Sequence, residues 1–304
     1  VLYSNTTGYE NVAIGQCALY ANISGVENTA IGCGALRSSQ TATANTAVGR
    51  AALGKNTSGL RNVALGRNAM CANTTASDNV AIGFQALCTN TTGAENVAVG
   101  RNALFASTTG TGGNVAVGVC AAVGITTGCF NTIIGKNAGS STTTVEGNTF
   151  IGKSAGCNAV NGNNNTALGI NAGIDGVKNI TGSDTHNIVI GNNGNTNAYI
   201  KIDWTVTSDL RDKTNIEDVP HGLNFINQIT PIKYDFKTSR EDDTPHGTKK
   251  YGFKAQEILA LEGDNPIIID NHDLENLKLT GGHLLPVLVN AIKELKTQND
   301  NLIT

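Results

Sequence analysis

A five-residue phrase, N-[VT]-A-[IVL]-G, dominates the hydrophobic pattern of the first two thirds of the chain. It begins at Asn11, Asn28, Asn45, Asn62, Asn79 and Asn96, each 17 residues after the last. It continues at Asn114 after a step of 18, then in partly looser form at Asn131, Asn148 and Asn165, with a drifted copy, "NIVIG", at Asn187. Within the phrase the apolar period is two, which predicts a strand. In "NVAIG" (11–15), Val12 and Ile14 share one face, and Asn11, Ala13 and Gly15 the other. The larger aliphatic face is read as the filled core. The second face carries Ala30, Ala47, Ala64, Ala81, Ala98, Ala116 and Ala167, a narrow stripe read as the place where an identical subunit approaches around a shared axis.

Between phrases the chain often reads x-x-A-L, followed by a turn such as "NTTG". Ala18-Leu19, Ala35-Leu36, Ala86-Leu87 and Ala103-Leu104 are expected to form a second short strand that closes each coil. A fixed short period means stacked, quasi-one-dimensional coils. Frequent Gly and Asn exclude a helical repeat. The Asn opening each strand is expected to stack on the Asn of the next coil. The first 200 residues hold none of the 5 prolines, so no missing N–H interrupts the ladder.

Beyond Thr207 the periodicity changes. "HGLNFINQI" (221–229) reads as a short helix and "PIKYDFK" (231–237) as a strand with Ile232, Tyr234 and Phe236 on one face. "YGFKAQEILALE" starts as a strand and becomes a helix, and "NPIIID" (265–270) is a further strand. From Leu285 the apolar positions fall on heptads: Leu285, Ile292 and Asn299 at a, and Leu288, Leu295 and Leu302 at d. This predicts a coiled-coil seam over about 283–302, with Asn299 favouring register over raw stability and Pro286 tolerable in the first turn.

Composition sharpens the division. Residues 1–200 hold only 7 of the 24 acids and 9 of the 21 Lys and Arg, so two bodies, 1–200 and 201–304, are expected to join near residue 200. A net charge of −3 offers no bulk attraction to nucleic acid, and the apolar runs are too short for membrane insertion. All seven cysteines (Cys17, Cys33, Cys71, Cys88, Cys120, Cys129, Cys157) lie in the first body, without a C-x-x-C. They are read as small buried hydrophobes rather than disulfides or metal ligands, and no metal or other cofactor is expected. The histidines form no metal-binding spacing. A chain that opens on Val1 is read as a piece of a longer protein.

Glycan hydrolysis needs two facing carboxylates. Glu10, Glu27 and Glu95 recur at one turn position and Glu146 sits two residues before its strand Asn, a structural pattern; Asp78, Asp175 and Asp184 are isolated. The N-x-[ST] sites at Asn5, Asn22, Asn56, Asn73, Asn90 and Asn179 mostly follow the 17-residue beat and are read as turn chemistry rather than glycosylation acceptors.

Two resemblances attach to these motifs. Over about residues 5–195 the phrase resembles the N-x-A-x-G repeats of trimeric adhesin heads and viral tail-fibre shafts. "SDLRDKTNI" resembles the start of the intramolecular chaperone auto-processing domain of phage endosialidases, other phage tail fibres and the myelin regulatory factor family. The pattern S-D-x-R-x-K-x-N-I is met by Ser208, Asp209, Arg211, Lys213, Asn215 and Ile216; Asp212 stands where that family more often has an aliphatic residue. "YGFKAQEI" (251–258) and "HLLPVLVNAIKEL" (283–295) resemble the family's later segments.

The resemblance implies a Ser-Lys dyad, Ser208 as nucleophile and Lys213 as base, that cuts the bond between Thr207 and Ser208. Asp209, Arg211, Asn215 and His221 are candidate supporting groups. The expected architecture is a trimeric β-solenoid or β-roll shaft of ~17-residue coils, followed by a small α+β chaperone domain that ends in a coiled-coil helix. The expected function is that of a viral fibre or spike for host attachment, assembled in the host cytoplasm and carried on the virion. Its expected partners are two further copies, other tail or fibre proteins, and a glycan or protein receptor on the host surface. A bacterial or cellular trimeric surface adhesin with the same release domain is an alternative. So is a fibre-linked depolymerase whose enzyme lies upstream.

Overall fold

The computed structural model describes every residue except 111, 175–177, 183, 196–198, 200–207, 238–239 and 304. The chain divides into two compact units, Val1–Gly194 and Asn195–Thr304. Each is described by itself.

The first unit is a parallel β-solenoid. Its strands β1 to β11 are Val12–Ile14, Thr29–Ile31, Thr46–Val48, Val63–Leu65, Val80–Ile82, Val97–Val99, Val115–Val117, Thr132–Ile134, Thr149–Ile151, Thr166–Leu168 and Ile188–Ile190. They pair in sequence order in one sheet, equivalent phrase positions lying side by side: Val63 beside Val80, Ala64 beside Ala81, Leu65 beside Ile82. The longer steps before β7 and β11 leave this register intact.

Two expectations about the coil are overturned. There is no second strand at the Ala-Leu pairs. Those residues lie in a tight turn whose backbone enters the left-handed region at Leu19, Leu36, Leu53, Met70, Leu87 and Leu104, with φ from 47° to 50°. A second left-handed column lies two residues earlier in each turn, at Cys17, Gly34, Ala51, Asn68, Gln85 and Asn102. The strand faces are also reversed. Ala30, Ala47, Ala64, Ala81, Ala98, Ala116 and Ala167 point into the coil's own core and are fully buried, whereas Ile14 is 58% and Leu65 45% exposed. The tight turns make the coil interior narrow. It accepts a methyl from the strand and one large side chain from the turn, leaving the aliphatic face outside.

Substitutions within this core compensate one another. Six of the eight coils with a strand alanine take Leu19, Leu36, Leu53, Met70, Leu87 or Leu104 from the turn six residues later; after Ala116 and Ala167 that position is Ala122 or Gly173, and Ile125 or Ile180 joins the core instead. Where the strand supplies Ile133 or Phe150, the turn position is Gly139 or Gly156. A Cβ at Gly156 would sit 2.6 Å from the Phe150 ring, and one at Gly139 2.9 Å from Ile133 Cδ1. Constant interior volume, rather than constant residue type, is what repeats.

The strand-opening asparagines form the expected column. Asn62 Oδ1 accepts from the backbone N–H of Asn79 at 3.0 Å and from its Nδ2 at 3.3 Å, and the backbone link repeats from Asn11 to Asn187. Each buried side chain also reaches a turn carbonyl, as Asn62 Nδ2 does to Ala76 at 2.8 Å. The N-x-[ST] asparagines build a second column. Asn73 Nδ2 donates to Asn56 Oδ1 at 2.9 Å and to the Ala76 carbonyl at 3.1 Å. Asn22, Asn56, Asn73 and Asn90 are fully buried, so they serve the turns. The cysteines differ from expectation. All seven are free thiols, only Cys88 is buried, and Cys33 is exposed, because they occupy turn positions at the coil's corners rather than the interior columns.

In the second unit α1 (Leu223–Ile226) precedes the antiparallel hairpin β12 (Ile232–Lys237) and β13 (Pro245–Gly252). Then come α2 (Ala255–Glu262), the short pair β14 (Ile269–Asp270) and β15 (Lys278–Leu279), and α3 (Leu284–Ile303). The Glu262 carboxylate at the end of α2 accepts from the backbone N–H groups of Ile267, Ile268 and Ile269, fixing the entry to β14. The core joins Phe225, Ile229, Ile258, Ile268, Ile269, Leu284 and Val287. Helix α3 therefore has two apolar faces. Leu284, Val287 and Ala291 are buried within the unit, while Leu285, Leu288, Ile292, Leu295 and Leu302 are exposed.

Candidate processing site

The site grows from one tight turn. Asp209 caps a short 3-10 turn, Leu210–Asp212, its carboxylate accepting from the Arg211 backbone N–H at 2.9 Å. The Arg211 guanidinium returns to the same carboxylate, Nε at 3.1 Å from both oxygens. That side-chain bond, first, and the backbone N–H hold Asp209 below the usual carboxylate range; the carboxylate in turn raises Arg211. The turn closes through the Lys213 N–H, which donates to the Leu210 carbonyl at 3.2 Å. The chain is thereby reversed, and the Lys213 side chain comes back over the turn. Its Nζ donates to Ser208 Oγ at 2.8 Å.

The sequence pattern is thus brought together as a local unit: Asp209 and Arg211 shape the turn that joins Ser208 to Lys213. Asn215 supplies a left-handed residue, φ 52°, as the chain leaves it. His221 is placed differently. Its ring stacks on Phe225 with centroids 4.2 Å apart, beside a cavity lined by Pro220, Gly222 and Glu294. Thr207 lies outside the described residues.

The segment 210–220 is exposed throughout, including the apolar Leu210, Ile216 and Val219. It is tied to the unit at its far end. Asn290 Nδ2 on α3 donates to the His221 carbonyl at 3.0 Å, and Glu294 Oε2 accepts from the Leu223 N–H at 2.7 Å, capping α1. The heptad pattern pointed to α3, but the inward role of Asn290 and Glu294 was not read from it. Their signal is two polar residues four apart on a helix whose neighbours are apolar.

A serine beside a lysine can support acyl transfer if the amine loses its proton and then accepts one from the hydroxyl. With Lys213 donating, the observed contact positions the two groups. Among the described residues no group of side chains could hold a metal ion, and no helix is long and apolar enough to cross a membrane.

Residues 208–264 match the family described as the chaperone of endosialidase, a family that is autoproteolytic. The match begins at Ser208 and covers α1, the hairpin and α2; α3 lies beyond it. No curated protein and no solved structure matches the chain. A β-solenoid followed in sequence by a segment similar to the endosialidase chaperone suggests a phage tail-fibre-like protein.

Proposed function

We propose that the chain is a homotrimeric attachment fibre whose C-terminal unit assembles three copies and then severs itself between Thr207 and Ser208. The observation that carries this reading is the 2.8 Å contact between Lys213 and Ser208 at the head of the matched segment. In the proposed reaction Ser208 Oγ attacks the Thr207 carbonyl carbon while Lys213 takes the hydroxyl proton. The Thr207–Ser208 amide bond breaks, its nitrogen leaves as the protonated amine, and the Thr207 acyl group is held as an ester on Oγ. Water hydrolyses the ester, leaving a Thr207 carboxylate and a free Ser208 hydroxyl.

Burial favours the neutral amine, which makes lysine a competent base in a dry site. Both side chains are exposed in the single chain. Packing of further copies over the apolar Leu210 and Ile216 would desolvate the pair, so cleavage would report completed assembly. The exposed heptad positions of α3 support association of three copies through that helix. Copies joined there in register would zip a repeat that otherwise admits slips by whole coils. Removing the guide afterwards would make assembly hard to reverse, a kinetic lock.

Intact mass measurement under denaturing conditions tests the reading. The wild type is expected to give two pieces, 1–207 and 208–304, and Ser208→Ala one. Splitting of the alanine variant at the same bond overturns the assignment.

A further inference from the structure

The outward strand face of the solenoid is long and largely apolar, with Thr29, Thr46, Thr132, Thr149 and Thr166 among its aliphatic residues. Every one of the eleven strands presents its first and third residues outward, from Val12 and Ile14 to Ile188 and Ile190, and none of these residues is charged. At a strand spacing of about 4.8 Å the ladder runs roughly 50 Å, and three residues make it about 10 Å wide. The resulting patch, on the order of 500 Å², is at the upper end of what a lone soluble chain leaves uncovered.

The two edges of this face carry opposite charge. The residue before each strand asparagine includes Glu10, Glu27, Asp78 and Glu95, all exposed; the one Lys or Arg there, Arg61, pairs with Asp78 at 2.6 Å, which leaves Glu10, Glu27 and Glu95 as the net charge of this edge. The residue after each strand glycine includes Arg50, Arg67, Arg101, Lys136 and Lys153, all exposed, and no acid. Five of the nine cations of residues 1–200 stand on this one edge.

We propose that this face is the contact between copies of the chain, packed parallel and level, with the acidic edge of each against the basic edge of the next. The copy number rests on the trimer proposed above; the face and the pairing of its edges are the addition. A rotation about an axis parallel to the solenoid's long axis and facing the apolar strands brings unlike edges together and closes the ring. Antiparallel copies face to face, related by a two-fold axis along the strands, put acid against acid and base against base, which charge repulsion disfavours.

One substitution tests this. Cys33 is exposed on the basic edge of the second coil, and Glu27 lies on the acidic edge of the same coil. Six residue steps across strand β2 at about 3.3 Å each separate them by well over the ~7 Å Cα limit of a disulfide, too far for a bond within one chain. Cysteine already occupies left-handed turn positions at Cys17 and Cys120, so Glu27→Cys fits the backbone. The intact chain is oxidised with copper–phenanthroline and run on a non-reducing denaturing gel, beside the wild type and Thr41→Cys, an exposed turn control. Covalent trimers are expected for Glu27→Cys alone, and likewise for Glu95→Cys combined with Arg101→Cys. If light scattering gives trimers but neither variant cross-links beyond the control, the face assignment is overturned. Cross-linking that stops at pairs, or joins wild-type chains through Cys33, overturns the edge pairing. A wild type that scatters as a monomer sinks the trimer itself.

Discussion

Lys213 Nζ lies 2.8 Å from Ser208 Oγ, with both side chains open to solvent. The contact is made within a turn of six residues, so it is present in the single chain; what the single chain lacks is cover. Geometry and activation are therefore separable. Lys213→Arg keeps a cation able to donate to Ser208 but cannot become a neutral base. Chains carrying Lys213→Arg should trimerise and remain full length, as read by light scattering and intact mass. Processing at the wild-type rate in that variant would remove Lys213 from the mechanism.

Asp209 gives the turn a pH dependence with a definite sign. Its carboxyl titrates below the ordinary range, chiefly because of Arg211. A lowered acid stabilises the turn above its unfolded value, about 3.9, and that contribution is lost as the pH falls through the lowered value. The Arg211 amide resonance, followed by NMR, should keep its folded shift down to about pH 4 and move only below it. In Asp209→Asn that low-pH transition should vanish.

The asparagine column is expected to be a main source of stability in the solenoid. Asn62 receives no solvent and exchanges bonds with Asn45, Asn79 and the Ala76 carbonyl. Asn62→Leu strands polar groups on three neighbours. A loss of about 1–3 kcal/mol or more is expected, measured as a lower denaturation midpoint. The exposed neighbour substitution Val63→Thr should leave the midpoint nearly unchanged.

Glycines of two kinds should respond differently. A Cβ on Gly66, φ +134°, would meet the Gly83 carbonyl oxygen at 2.6 Å, in the next coil. Gly34 also has positive φ, +70°, but a Cβ there meets nothing within 4 Å. Gly34→Ala should cost about 1 kcal/mol in backbone strain. Gly66→Ala must also push two coils apart and should lower the melting temperature substantially more.

Interior volume is testable by a swap. Ala64→Phe alone overfills a coil already holding Met70 and should cost about 1–3 kcal/mol. Adding Met70→Gly recreates the Phe150–Gly156 arrangement and should restore much of the loss in thermal melts. Additive destabilisation in the double variant would refute the compensation read from the native coils.

The sequence by itself determined the repeat, its strand positions, the strand-opening asparagine column, the turn role of the N-x-[ST] asparagines and the segment that holds Ser208 and Lys213. All are local: a 17-residue period places equivalent residues side by side, and a short turn joins Ser208 to Lys213. Which face of the strand lies inside was settled only by tertiary structure. Alternation says that Val63 and Leu65 share a face opposite Ala64, and it is silent on which face the coil encloses. The enclosing turns decide, and they are tight because their backbone is left-handed at repeated positions. A trace of this was present in the sequence. Three columns of the repeat, those of Glu10, Cys17 and Leu19, contain no Val, Ile or Thr along their length, the side chains that left-handed backbone tolerates least. In α3, likewise, the heptad named the exposed seam, but only packing against Phe225 and Ile258 showed that Leu284 and Val287 form a second, buried face. Periodicity lists which residues travel together; the volume available on each side chooses where they go.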